Sequence, residues 1–386
     1  MHVFSTICGA VLVFVVLLDA FETVVLPRRV TRHFRLTALF YRNSWVPWRK
    51  MAARIRSTTR RENFLGYFGP LSLLFLLALW ALGLIFGFAF VQFGAGAHLQ
   101  FNNQPVTFSG VLYHSGETFF TLGYGDIVPA STTARALSVI EAGMGFAFLG
   151  LVIGYIPTIY SSFSRREIEI SLLDARAGSP PTAAEFLARF GNSQGQQILD
   201  GIFRQWERWA AEVLESHLSY PPLSFFRSQH SNQSWLGALT AILDTTALII
   251  AGIDGLRSDQ ARLTFAMARH AVVDLSQLFY PRYDPSAPDR LPKQELEELR
   301  KRLTESGVQP RADDYANEKL SYLRAQYEPY AQAVAGILLI NLPPWMFPEK
   351  KRDNWQAGPW DRAVQARSLA ALGARSAVRH RIEDHF

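Results

Sequence analysis

The 386-residue sequence predicts an all-α membrane protein: three transmembrane helices, a short re-entrant helix between the second and third, then a mostly helical cytoplasmic domain. Three observations lead there. No Asp, Glu, Lys or Arg occurs between Asn63 and Gly116, and only Arg135 and Glu141 interrupt the run from the end of the next motif to Ser164. A separate apolar stretch, Val3 to Leu26, precedes a segment from Arg28 to Arg61 that holds eleven Lys or Arg and no acidic residue. From Ser162 to the end, 27 basic residues are matched by 27 acidic ones, the balance of a water-exposed domain.

Val3 to Leu26 exceeds the roughly 20 residues that cross a bilayer. It lacks a positively charged start and a small-residue cleavage site, so it reads as a retained helix and not a signal peptide. Cys8, the only cysteine, lies within it and has no intrachain partner for a disulfide. Asp19 and Glu22, three apart near its cytoplasmic end, are expected to pair with Arg28, Arg29 or a neighbouring subunit, in a structural role.

The basic segment, residues 28–62, reads as a cytoplasmic loop because positive charge is retained inside. Arg29, Arg32 and Arg35 repeat every third residue, the spacing of a voltage sensor. A sensor needs those arginines on an apolar span within a packed bundle, and one helix alone precedes them. The segment is therefore read as solvated or headgroup-contacting, with anionic lipid as its natural partner. The whole net charge of +6 resides in the membrane half, so it is no argument for nucleic-acid binding.

With that loop inside, the N-terminus lies outside and Leu65 to Val91 returns outward. A re-entrant segment follows, and a helix from about Thr133 to Ser162 comes back in, which places the C-terminal domain in the cytoplasm. The protein is expected in the inner (plasma) membrane, with domains at 1–27, 28–62, 63–162 and 163–386.

The segment between the second and third spans reads Thr121-Leu122-Gly123-Tyr124-Gly125-Asp126. A potassium ion gives up its water only where oxygens replace it, so a selectivity filter aims consecutive backbone carbonyls at one axis. Gly123 and Gly125 permit the left-handed backbone that this requires. Thr121 adds a hydroxyl oxygen, and Tyr124 would turn its ring outward and hold the width. The longer run from Gly116 to Pro129 resembles the pore helix, filter and outer mouth of the pore-loop potassium channel family, in its two-helix bacterial branch. The resemblance covers about Leu65 to Ser162. This chain departs from the pattern at Phe120, where a second Thr or Ser is usual, at Leu122 for Val, and at Tyr113-His114 for two Trp. Leu122 offers its carbonyl whatever its side chain.

The resemblance implies a homotetramer, since one chain supplies a quarter of the ring. It implies potassium ions held by backbone oxygens of Thr121, Leu122, Gly123 and Tyr124, with Glu117 and Thr118 supporting the filter from behind and Asp126 at its mouth. Glu117 and Asp126 are expected to share a proton or a water, because two close carboxylates in a low dielectric do not both ionise cheaply. An ordinary polar contact is the other reading. Phe146, Leu149 and Ile153 would line the lumen and close it as a hydrophobic constriction, with Arg135, Gly145 and Gly150 at positions the family also occupies.

Gly143, Gly145, Gly150 and Gly154 soften the inner helix, and Pro157 removes a backbone hydrogen bond near its cytoplasmic end. Small residues are equally common as packing devices in membrane helices, so gate or hinge and packing both stand for Gly145, Gly150 and Gly154. Glu141, four residues before Gly145, is read as packing, in protonated form, against the pore helix, with a cation site as the alternative.

Beyond Ser162, an N-cap is expected at Ser179 before Pro180-Pro181. Helices are expected over 194–217, 235–253, 258–279, 293–303 and 313–342, the last with Pro329 inside it. Leu236 to Ile253 is apolar enough to span, but Asp244 at its centre favours a buried core helix. No glycine-rich nucleotide loop follows a strand. His114, His230 and His270 lack ligand-spaced partners, and no nucleophile stands beside a base. The expectation is a potassium-selective channel subunit that is not an enzyme and needs no cofactor beyond the permeant ion. A weakly selective cation channel, or a signalling or scaffold protein with a vestigial pore, remain the alternatives.

Overall fold

A computed structural model describes residues 2–26, 35–101, 104–191, 195–230, 232–348 and 360. The chain divides into two compact units, the first over residues up to 54, 67–161 and 222–224, the second over 55–66, 162–221 and from 225 onward.

The first unit begins with α1, His2–Ala20, which loosens into a π-helical turn, Phe21–Val25. The supposed loop that follows is largely helical: α2 spans Leu36–Ala53. Residues 27–34, including Arg28, Arg29 and Arg32, lie outside the described residues. After α3, Thr58–Gly66, which groups with the second unit, comes α4, Phe68–Gly94. A short antiparallel sheet of order β2-β1-β3 joins β1 (Leu99–Phe101), β2 (Gln104–Pro105) and β3 (Val128–Pro129). Strands of two or three residues leave no alternating pattern, so the all-α expectation missed them. Between β2 and β3 lies α5, Phe108–Phe119. The long α6, Thr132–Ala177, follows β3.

At 46 residues α6 does not stop near Ser162 as expected. It measures about 69 Å at 1.5 Å per residue, roughly twice a bilayer core.

Helix α1 lies against α4 through glycine. A Cβ on Gly9 would come within 2.5 Å of Gly87 O, and one on Gly83 within 2.8 Å of Val16 Cγ2. Gly83 and Gly87 form a small-xxx-small face, which lets two membrane helices approach closely enough for dispersion to hold them. Near the other end Asp19, fully buried, accepts from Thr37 N at 3.2 and 3.1 Å, from Thr37 Oγ1 at 2.6 Å and from Trp80 Nε1 at 3.0 Å. An acid in an apolar helix is thus the joint of three helices: it satisfies the first turn of α2 and the indole of α4. Glu22 stands 3.9 Å from Arg35.

Beyond α6 the second unit is built mainly of helices, α7 (Ala183–Phe190), α8 (Gln196–Ser219), α9 (Trp235–Gly252), α10 (Asp259–Ser276), α11 (Lys293–Glu305), α12 (Asp314–Ala325) and α13 (Glu328–Leu338), with an antiparallel bridge between Ile253 and Pro310. The N-cap of α7 is Thr182, whose hydroxyl accepts from Glu185 N at 3.2 Å, in place of Ser179. The expected 313–342 helix is two helices, because Pro329 falls in the first turn of α13, where its missing N–H costs nothing.

Four helices are long and apolar enough to cross a membrane, by length and composition, but 94% of the α9 window is buried inside the protein. Asp244 at its middle forms a two-pronged pair with Arg290, at 3.1 and 2.7 Å, and accepts from the Tyr327 hydroxyl. Arg290 also reaches Glu328 at 3.0 Å, so the buried charge is compensated. Elsewhere in this unit Arg166 donates to the Phe226 carbonyl at 2.9 Å and lies 3.1 Å from His217 Nε2. The other ring nitrogen of His217 donates to Val213 O at 2.9 Å, so Nε2 is the acceptor and the ring is neutral.

Burial, reinforced by the Arg166 guanidinium, holds the His217 imidazole well below its ordinary range. A histidine depressed in the folded state adds stability that is intact above its unfolded value, about 6.5, and is lost as pH falls below it. Thermal melts of the full chain in detergent should therefore drop between pH 7 and 5, by at most about 1.4 kcal/mol per pH unit from this proton. His217→Gln should flatten that dependence, and an equal slope in both proteins would refute the assignment.

Candidate functional site

The site grows out of the end of α5. Phe120 N donates to Gly116 O at 3.1 Å, Thr121 N to Thr118 O at 3.1 Å and Leu122 N to Glu117 O at 2.8 Å, which closes the helix tightly. The chain then alternates in handedness. Thr121, Gly123 and Gly125 have φ of 54°, 63° and 77°. Left-handed residues at every second position turn successive peptide groups the same way, as a row of coordinating carbonyls requires. The sequence predicted this for the two glycines. Thr121 is the addition, and a side chain in that conformation is strained unless its surroundings hold it.

Residues 120–126 are exposed in the single chain. Leu122 is 54% and Tyr124 69% exposed, an unusual state for large apolar side chains at a well-formed turn. At the mouth, Asp126 Oδ1 accepts from Ile127 N at 3.0 Å. Ile127 anchors the strand's far end in a small core with Ala89, Leu99, Val111 and Ala134.

Behind the strand, Glu117 is buried and its Oε1 lies 3.2 Å from His114 Nδ1, while His114 Nε2 lies 3.0 Å from Ser138 Oγ of α6. Residues 114 and 117 are a helical turn apart and share a face. No hydrogen bond joins Glu117 to Asp126 among the described residues, so the expected carboxylate pair is here a Glu117–His114–Ser138 chain. Glu117 Oε2 is buried with no partner of its own. Thr118, partly buried, contributes its carbonyl to the turn.

Helix α6 meets α5 at Gly145. A Cβ there would stand 1.9 Å from Phe119 O, so any side chain would push the end of α5 away. This gives Gly145 a packing reason independent of bending. Gly143, Gly150 and Gly154 have open space at the same construction. Pro157 lies inside the helix without ending it, and the nearby Thr158 hydroxyl donates to Gly154 O at 2.8 Å. Phe146, Leu149 and Ile153 fall on one face and are 73%, 54% and 64% exposed. Arg135 Nε donates to Pro129 O at 3.2 Å, bracing the turn into α6.

Glu141 has no exposed surface; Gln92 of α4 donates to it at 2.7 Å, and Ser115 of α5 is its second partner. Sequence reading passed over Gln92, Ser115 and Ser138. Gln92 carried a signal, as a lone polar residue in an apolar run where an unpaired polar group is costly, whereas Ser115 beside His114 and Glu117, and Ser138 between Arg135 and Glu141, did not stand out. Among the described residues, no group of three or more His, Cys, Asp or Glu could hold a metal ion.

Comparison with known proteins agrees with this geometry. Residues 74–162, from within α4 through the re-entrant strand and into α6, match the model of a family described as "Ion channel". That stretch is what resembles an ion channel. One curated relative, the uncharacterized membrane protein YdjJ of Bacillus subtilis (strain 168), is 22% identical over 184 residues, 47% of this chain and 52% of that protein. The match thus spans about half the length of that relative. No solved structure matches the chain.

Gly145 separates packing from bending. Gly145→Ala should lower the thermal midpoint by an amount equivalent to about 1–3 kcal/mol of overpacking, whereas Gly150→Ala should leave it unchanged or raised. Equal, small effects from both would refute the close-contact account.

Proposed function

We propose that the protein is a potassium-selective channel subunit that conducts passively down the electrochemical gradient. The observation that supports this best is the alternating handedness of Thr121, Gly123 and Gly125 at the end of a short helix set between two apolar ones. That geometry gives one quarter of a coordinating ring, with Thr121, Leu122, Gly123 and Tyr124 supplying carbonyls to potassium. Four copies around an axis complete it. The exposure of Tyr124 and of the Phe146, Leu149 and Ile153 face supports a homotetramer, since those surfaces are where copies and lumen would meet.

In this reading the protein crosses the inner (plasma) membrane three times, through α1, α4 and the first part of α6. The burial of α9 within the second unit and the Asp244–Arg290 pair at its centre support leaving it out of the membrane. The basic residues between α1 and α4 favour that side as cytoplasmic, with the N-terminus and filter mouth outside. Arg42, Arg49 and Lys50 are exposed on α2 and suit anionic headgroups. Gating is assigned to the inner helix: Phe146, Leu149 and Ile153 form the constriction, and Gly150, Gly154 and Pro157 supply compliance. The second unit assembles or regulates the pore.

Reconstituted in liposomes, the wild type should pass potassium with a reversal potential that follows the potassium gradient when sodium replaces it on one side. Gly125→Ala, which puts a side chain at φ 77°, should abolish this flux. A reversal potential indifferent to the potassium–sodium exchange would identify a weakly selective cation channel, to which the apolar Phe120 would contribute. Absence of flux from the folded wild type would favour a scaffold.

A further inference from the structure

Glu141 of α6 is fully buried between α4 and α5. Gln92 Nε2 of α4 donates to its Oε2 at 2.7 Å, and its Oε1 is hydrogen-bonded to Ser115 Oγ of α5. The same Ser115 oxygen lies 2.7 Å from the Ile85 carbonyl oxygen of α4. These contacts admit a count of protons. A carbonyl only accepts, an ionised carboxylate only accepts, and a serine hydroxyl has a single proton to give. Ser115 makes oxygen–oxygen contacts with two acceptors, and each needs its own proton. Serine supplies one, and the Ile85 carbonyl supplies none.

We infer that Glu141 carries the second proton, as a neutral carboxylic acid that positions the helix behind the filter. Its O–H donates to Ser115, and the Ser115 O–H donates to Ile85 O. Gln92 donates to the remaining carboxyl oxygen. Every contact then holds one proton, and three helices are fastened at one point, four residues from the Gly145 contact with Phe119. Loss of the proton would leave Ser115 facing two acceptors with one hydrogen, and the joint would lose either its α4–α5 bond or its α5–α6 bond.

The surroundings favour this state. From α4 the polar neighbour is the uncharged Gln92. From α5 it is Ser115, while the titratable His114 and Glu117 are engaged with each other and with Ser138. On α6 itself Arg135 is turned to the Pro129 carbonyl. Among the described residues no Lys, Arg or His is paired with Glu141, so ionisation has no compensating cation.

The flux arm of the test rests on the channel reading; a spectroscopic arm does not. Infrared spectra of the full-length protein in lipid should show a carboxylic-acid carbonyl band at neutral pH that Glu141→Gln removes and that fades in the wild type at alkaline pH. Glu141→Gln keeps a donor in the same place, so its ion flux should stay within about twofold of wild type and lose any alkaline decline. Glu141→Ala should reduce flux about tenfold, the scale of leaving buried hydrogen-bonding groups unpaired. Absence of the band in the wild type, or a Glu141→Gln loss as large as that of Glu141→Ala, would overturn the inference. If the band behaves as expected and no variant conducts, the proton assignment stands and the conduction reading fails.

Discussion

The rest of the first unit depends on one constraint: a six-residue strand whose backbone alternates in handedness, with a threonine in the left-handed region at its first position. Such a strand does not hold itself. It has no ladder of backbone hydrogen bonds, it is exposed along its length in a single chain, and Thr121 is there against its own preference. What over-determines it is α5 behind it and the Ile127 anchor beyond it. Helix α5 is pinned in turn by the Gly145 contact at its last residue and by two polar joints, His114 with Ser138 and Ser115 with Glu141. The outer helix contributes through Gln92 and the Ile85 carbonyl, and is itself seated against α1 at Gly83 and Gly87.

Acids buried in apolar helices recur as joints in both units, by different chemistry. Asp19 collects three kinds of donor, a backbone N–H, a hydroxyl and an indole, and needs no cation. Glu141 has only an amide and a serine, too few donors for a charge, and the proton count makes it neutral. Asp244 in the second unit meets a guanidinium head on, with a tyrosine hydroxyl besides. In each case the cost of taking a carboxyl out of water is offset by partners from other segments of the chain, so each acid fixes which of them meet.

Much of this was legible in the chain. The stretches without Asp, Glu, Lys or Arg located the apolar helices, because a bilayer core disfavours those residues over the length of a span. The spacing of Gly123 and Gly125 located the left-handed positions. The legible part ended where tertiary contacts chose among local possibilities. Nothing near Gly145 in sequence tells that Phe119 will lie on it, so softness and close contact read alike. Glu117 and Asp126 are nine residues apart, and His114, a turn away on the same helix, was the nearer partner. The basic segment hid α2, since its aromatic residues Tyr41 and Trp45 pack against Phe68 of α4, more than twenty residues further along the chain. Pro329 was read as interior to a helix because a proline in the first turn and a proline in the middle look the same until the preceding helix is seen to stop.

The central claim is that backbone oxygens of Thr121 to Tyr124, brought together from several copies, coordinate a dehydrated monovalent cation. The most direct measurement is anomalous diffraction from crystals of the full-length protein grown in rubidium, a stand-in for potassium. A row of anomalous peaks is expected on a fourfold axis, level with those carbonyls. Anomalous signal confined to carboxylates, or no signal on an axis formed by this strand, would contradict it.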